Sequence, residues 1–179
     1  AAELKEKYGL SGYNNIILVN LGGGNRWQYK KWTREGYTAL VDILSEKYPD
    51  TAVGIIAGDE DIDFYNGIAA DLKKTERNNI IFFGTGNTME DFICIVSLAQ
   101  EVFTSDSLCF HIATALGKYT IVIVGPTSYT ELDVFGNGKV IYSGGVDCLC
   151  CYLNRCDKSV TCMNTLEAAD ISELFGVVN

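Results

Sequence analysis

Short apolar runs separated by segments of helical period constrain the fold of this chain more than any other feature. Ile16 to Asn20 (IILVN), Ala52 to Ala57 (AVGIIA), Asn79 to Phe83 (NIIFF), Glu101 to Ser105 (EVFTS) and Thr120 to Val124 (TIVIV) are such runs, and Lys139 to Tyr142 (KVIY) is a sixth candidate. A strand without polar alternation is covered on both faces, the condition of a parallel sheet between helices. Between the runs the period changes. Tyr37, Leu40, Val41, Leu44 and Tyr48 recur at helical spacing, and Pro49-Asp50 ends that segment. Thr88, with Asp91 three residues on, opens another helix through a variant capping box. Asp106 to Leu116 reads as a helix closed by Gly117. Asn164 with Glu167 reads as the capping box of a last helix reaching about Phe175. The expectation is a doubly wound α/β fold with a mostly parallel, Rossmann-like sheet, forming one domain over residues 1–179. Ligands on such sheets bind beyond the carboxyl ends of the strands, so the loops after Asn20, Ala57, Phe83, Ser105 and Val124 carry the search for a site.

Composition narrows the partners. Hydrophobic residues make up 47% and charged residues 21%, as in a globular protein rather than a disordered one. No apolar run approaches the ~18–20 residues of a membrane span, and Ala1 to Tyr8 is a charged, helix-prone segment rather than an export signal. The formal net charge of −9 argues against a nucleic-acid surface, which needs clustered Lys and Arg. It does not exclude a small anion, because a helix N-terminus and one or two cations can hold a diphosphate in an acidic protein.

Three loops could do so. The first holds Gly22, Gly23 and Gly24, then Arg26, Lys30 and Lys31: glycines that let backbone amides approach an anion, and cations to neutralise it. It lacks both G-x-G-x-x-G and G-K-[ST], so a plain glycine turn beside a basic face remains the alternative. The second is Ser105-Asp106-Ser107 at a strand-to-helix junction, with His111 one turn further on. Asp106 repels phosphate and is expected to cap the helix. His111 reads either as a ligand contact or as a structural residue where helix meets sheet. The third is Gly58-Asp59-Glu60, where an acidic residue at a strand end can accept from ribose hydroxyls or can simply favour a helix start.

In this order the constellations resemble glycosyltransferase family 9, the ADP-heptose:lipopolysaccharide heptosyltransferases, from about Ile16 to Ile171. The stretches that carry the resemblance are NLGGGNRWQYKKWTREGYTAL, IIAGDED, NTMEDFICIVSLA, SDSLCFHIATALGKYTIVIVGPT and the cysteine-rich CLCCYLNRCDKSVTCM. The most specific is the fourth, set against the family's D-[ST]-G-x-x-H-x-A-x-A-x-G-x-P. The resemblance implies the C-terminal, donor-binding half of a GT-B fold, with the N-terminal acceptor domain absent from this chain. It implies an inverting, metal-independent transfer of heptose or a related sugar from an ADP-sugar, or another nucleotide-sugar, to a lipopolysaccharide or other cell-surface glycan. No cofactor is implied. By motif, Lys30 or Lys31 would neutralise the diphosphate, with Gly23 and Gly24 beside it. Asp106, Ser107 and His111 would hold the donor at the helix start, Glu60 would contact the ribose, and Asn87, Thr88 and Met89 would line the adenine pocket. The general base, an acidic residue, would lie in the missing domain, so this chain would bind donor without catalysing alone. The full-length protein would be cytoplasmic, at the inner face of the cytoplasmic membrane, without a transmembrane segment.

Three positions depart from the family pattern. Thr33 follows Trp32 where the family has Pro, and Tyr119 follows Gly117-Lys118 where it has Pro. Leu108 stands in place of glycine, and is expected to turn inward beneath the helix and leave Ser107 exposed to phosphate. If it instead covers the site, the chain is a non-catalytic binding or scaffold module of the same fold. A third class, a different nucleotide-dependent enzyme, is disfavoured by the missing G-x-G-x-x-G.

The cysteines form two groups. Cys94 and Cys109 lie in apolar helical segments and read as core residues. Cys148, Cys150, Cys151, Cys156 and Cys162 crowd into one loop. Zinc on Cys148, Cys151, Cys156 and Cys162 is one reading. Reduced thiols packing the loop are the preferred one for a cytoplasmic protein, and a disulfide is a third.

Overall fold

The computed structural model describes residues 1–24 and 27–177. Arg26, a candidate cation of the first loop, lies outside the described residues. Six strands, β1 (Asn15–Asn20), β2 (Thr51–Ile56), β3 (Ile80–Gly84), β4 (Glu101–Ser105), β5 (Tyr119–Val124) and β6 (Gly138–Tyr142), form one sheet in the order β3-β2-β1-β4-β5-β6. Every adjacent pair is parallel. The chain winds outward from β1 in one direction, then returns to start again at β4. The gap between β1 and β4 is therefore the topological switch point, where loops diverge and leave a crevice.

Helices cover both faces, as the continuous apolar strands require. On one side α2 (Arg34–Lys47), α3 (Ile62–Leu72) and α6 (Ala168–Ser172) pack on Ile17, Val19, Val53, Ile55 and Phe103. On the other, α1 (Ala2–Lys7), α4 (Met89–Leu98) and α5 (Leu108–Ala115) pack on Ile16, Leu18, Ala52, Ile56 and Val102. Alternate residues of one strand thus feed two different cores. Among the described residues no helix is long and apolar enough to cross a membrane.

The helix starts follow local chemistry unevenly. Thr33, in place of proline, caps α2 by accepting from Gly36 N at 3.0 Å. Thr88 caps α4 in the same way through Asp91 N at 3.1 Å. Two expectations are corrected. The helix after β4 starts at Leu108, with Ser107 as its N-cap, so Asp106 is not the cap. The last helix begins at Ala168 behind Glu167, which makes no side-chain cap bond. Asn164 is held instead by its neighbour Thr161, accepting from its amide at 2.8 Å and donating its own amide to the hydroxyl at 3.1 Å. That local exchange satisfies Asn164 before a helix can use it.

Candidate functional site

A cavity of about 270 Å³ opens at the switch point, walled by Gly22 to Gly24, Gly58 to Asp61, Asn87 to Met89 and Ser107 to Cys109. It gathers the loops after β1, β2 and β3 with the start of α5. Of the residues singled out by sequence, Gly23, Gly24, Glu60, Asn87, Thr88, Met89 and Ser107 meet here.

The glycine loop is shaped from within. Gly24 has φ 72, a conformation that favours glycine. The carboxylate of Asp61, 3% exposed, sits against the loop and accepts from Gly23 N at 3.2 Å and Gly24 N at 3.4 Å. A Cβ on Gly22 would come within 3.0 Å of that carboxylate. Lys31 Nζ donates to the other Asp61 oxygen at 2.5 Å. Asp61 therefore occupies the place a phosphate would take against these amides, and Lys31 neutralises it. Sequence reasoning passed over Asp61 for Glu60. The available signal was its position at the end of an acidic 3-10 turn, Asp59–Asp61, from which it alone turns inward.

Asn20, also unanticipated, joins this loop to α5. Its buried Nδ2 lies 3.0 Å from Gly22 O, 3.0 Å from Thr104 Oγ1 and 3.2 Å from Ser107 Oγ. Thr104 and Ser107 share a further hydroxyl contact at 3.0 Å. An asparagine closing an apolar strand is the sequence trace of this brace. It holds Ser107 and the first amides of α5, which have no intrahelical acceptor, facing the cleft.

The remaining sequence candidates separate. Lys30, Asp106 and His111 line a second cavity of about 360 Å³, on the other side of the α5 start. Lys30 Nζ stands 2.7 Å from Asp106 Oδ2, which also accepts from Thr127 Oγ1 at 2.7 Å. His111 is exposed and rests edge-to-face on Phe110, 5.1 Å between ring centres, rather than between helix and sheet. Lys31 lines neither cavity.

The far end of the first cavity is apolar. Asn87 Nδ2 donates to Phe83 O at 3.1 Å, fixing the turn after β3, while Met89 is 53% exposed beside Phe92. Leu108 does not turn inward: it is 53% exposed and lines the cleft. As the first residue of α5 it projects from the end that faces the crevice, not from the stripe (Cys109, Phe110, Ala113) that meets the sheet. Cys109 touches the cavity but is 1% exposed, and burial pushes its thiol up to about 12, so it is a neutral packing group.

The cysteine loop forms a third cavity, against Tyr29 and Pro126, with Cys148, Cys151, Cys156 and Cys162 on its wall. All seven cysteines are free thiols. Among the described residues no three Cys, His, Asp or Glu side chains stand together as ligands for a metal ion.

Comparison with known proteins places this geometry. The sequence model of glycosyltransferase family 9 (heptosyltransferase) matches residues 5–159. No curated protein sequence matches the chain significantly. Its fold is similar to that of E. coli ADP-heptose LPS heptosyltransferase II, with a TM-score of 0.76 at 17% identity over 96% of this chain and 48% of that one. A family 9 glycosyl transferase from Veillonella parvula gives 0.74 at 13% identity, over 97% and 49%. E. coli heptosyltransferase WaaC, solved with ADP-2-deoxy-2-fluoro heptose, gives 0.64 at 17% identity, over 89% and 42%. The chain spans about half the length of these structures, and their likeness carries the doubly wound fold. The family match covers most of the sequence, and on it the chain belongs to glycosyltransferase family 9, the heptosyltransferase family.

Proposed function

We propose that this chain is the donor-binding half of an inverting glycosyltransferase, taking heptose or a related sugar from an ADP-sugar for a lipopolysaccharide or another cell-surface glycan. The observation that carries the reading is the pair of cavities flanking the α5 start. One has an apolar end for a base and a polar end for phosphates, and the other has charged and hydroxyl groups suited to a sugar. A nucleotide-sugar laid across Ser107 would put its nucleoside in the first, with Met89 and Phe92 against the base and Glu60 at the ribose. Its diphosphate would meet Ser107 and the α5 amides, and its sugar would enter the second. Of the two lysines, Lys30 is the one placed to reach the diphosphate, since it lines a cavity and Lys31 lines neither; a donor would share Lys30 with Asp106, its partner at 2.7 Å.

In such a transfer the bond between the anomeric carbon and the diphosphate oxygen breaks while an acceptor hydroxyl attacks from the opposite face and loses its proton to a base. The residues here serve the leaving group: Lys30 and the α5 amides stabilise the charge that builds on the diphosphate. The base is assigned to a partner acceptor domain, so this chain binds donor without turnover. No metal is required, and the whole enzyme would work at the cytoplasmic face of the membrane.

Calorimetry with ADP, UDP and GDP tests the reading, with weak binding and a preference for ADP expected. A second reading, a module of this fold that has lost its ligand, is favoured by one observation, Leu108 in the cleft. Leu108→Gly separates the two. In a binding domain it changes ADP affinity by less than about tenfold, ~1.4 kcal/mol. No heat with any nucleotide in the parent, and binding that appears only in Leu108→Gly, would establish the second reading.

A further inference from the structure

The second cavity contains two residues to which the sequence motifs gave no role, Glu131, outside every motif, and Tyr152, within the cysteine-rich stretch. They come from segments remote in sequence. Glu131 ends a 3-10 turn, Tyr129–Glu131, after β5, and Tyr152 belongs to the cysteine loop. Tyr152 Oη donates to Glu131 Oε1 at 3.0 Å, and Tyr152 N donates to Pro126 O at 2.8 Å. Tyr152 has φ 53, left-handed backbone in a bulky non-glycine residue, which costs free energy and persists where surrounding structure imposes it. The ring is nonetheless 46% exposed, so the strained backbone presents the side chain to the cavity rather than burying it.

The chemistry of the wall is specific. Trp27 and Tyr152 supply flat apolar faces, which suit the C–H face of a sugar ring. Asp106 is neutralised by Lys30. Glu131 is partnered by a phenol, so among the described residues of the wall two carboxylates, Asp106 and Glu131, stand against one ammonium, Lys30. That arrangement accepts hydrogen bonds from sugar hydroxyls and repels a carboxylate.

We propose that Glu131 and Tyr152 are specificity residues for the donor sugar, and that their cavity takes an uncharged polyhydroxylated ring in preference to an acidic one. The inference rests on the donor-binding reading above, and the test keeps the two apart. ADP, ADP-glucose and ADP-glucuronate are titrated into the parent chain, Glu131→Gln and Tyr152→Phe, with circular dichroism to check the fold. ADP affinity reads the nucleotide end alone and is expected to stay within about twofold in both variants, since neither residue lines the first cavity. ADP-glucose is expected to weaken about three- to tenfold, as for loss of one hydrogen-bond partner. The parent is expected to prefer ADP-glucose to ADP-glucuronate by about fivefold, and Glu131→Gln to narrow that ratio. ADP-glucose affinity unchanged in both variants, or falling in step with ADP, overturns the assignment. ADP-glucuronate binding as tightly as ADP-glucose overturns the choice of sugar class. If ADP does not bind the parent chain, the donor reading falls and this inference falls with it.

Discussion

Two adjacent lysines meet two carboxylates in this domain, and the pairs do different things. Lys31 and Asp61 close on each other with 13% and 2% of their side chains exposed, and Asp61 also holds the Gly23 and Gly24 amides. Lys30 and Asp106 are 18% and 16% exposed, and their partner Thr127 lies with them on the wall of an open cavity. The first pair is a nearly closed anion site at the edge of the first cavity that supplies its own anion. The second keeps a cation and a carboxylate at a surface a ligand can reach. The glycine-lysine loop thus divides between a buried ion pair and a cavity wall within one residue, because successive side chains leave the backbone in different directions.

The largest expected effect breaks the first pair. Asp61→Asn keeps the shape but leaves Lys31 without a counter-charge in a nearly closed site. Breaking buried pairs costs roughly 3–5 kcal/mol, and the residual exposure of Lys31 places this one at about 3. Urea denaturation is expected to show that loss. A change below about 1 kcal/mol would show the pair to be no more than a surface bridge.

Next is the contrast between the lysines. Lys30→Ala is expected to leave stability nearly intact and to weaken nucleotide-sugar binding by about tenfold or more, as for a charge-assisted contact of roughly 1.5–3 kcal/mol. Lys31→Ala is expected to do the reverse, with its main effect on the denaturation midpoint. Equal effects of both on binding would erase the division of labour drawn above.

The smallest effect concerns a thiol at the same cleft. Cys109 rises from an ordinary value of 9.0 to about 12 through burial. Between those pH values the unfolded chain loses a proton that the folded chain keeps. This group's contribution to stability is therefore complete below pH 9 and falls as pH rises toward 12. Buried Tyr37 shifts in the same direction, so it adds to the alkaline loss. At pH 8 in the folded protein, iodoacetamide is expected to label the exposed Cys151 well before Cys109, read by mass spectrometry.

The sequence by itself determined the class and order of the elements. Strands such as IILVN and TIVIV are apolar on both sides, and only a parallel sheet under two helix layers hides both. Thr88 capped where it was expected to, because a cap is a bond spanning three residues, and Thr33 caps α2 by the same local bond. The candidate cleft was legible as a set of loops, since the loops at the carboxyl ends of the strands part at the switch point.

Tertiary structure decided which side chain does what within those loops. Asp61 rather than Glu60 turned inward, Lys30 rather than Lys31 reached a cavity, and Asp106 left the helix cap for Lys30 and Thr127. Leu108 faced the cleft rather than the core. Asn20 to Ser107 is a contact across 87 positions, and Glu131 to Tyr152 one across 21. Periodicity and capping are local, and a window of a dozen residues reads them. The direction of a loop side chain is set by partners arriving from distant strands, and that information exists only once the sheet has brought them together.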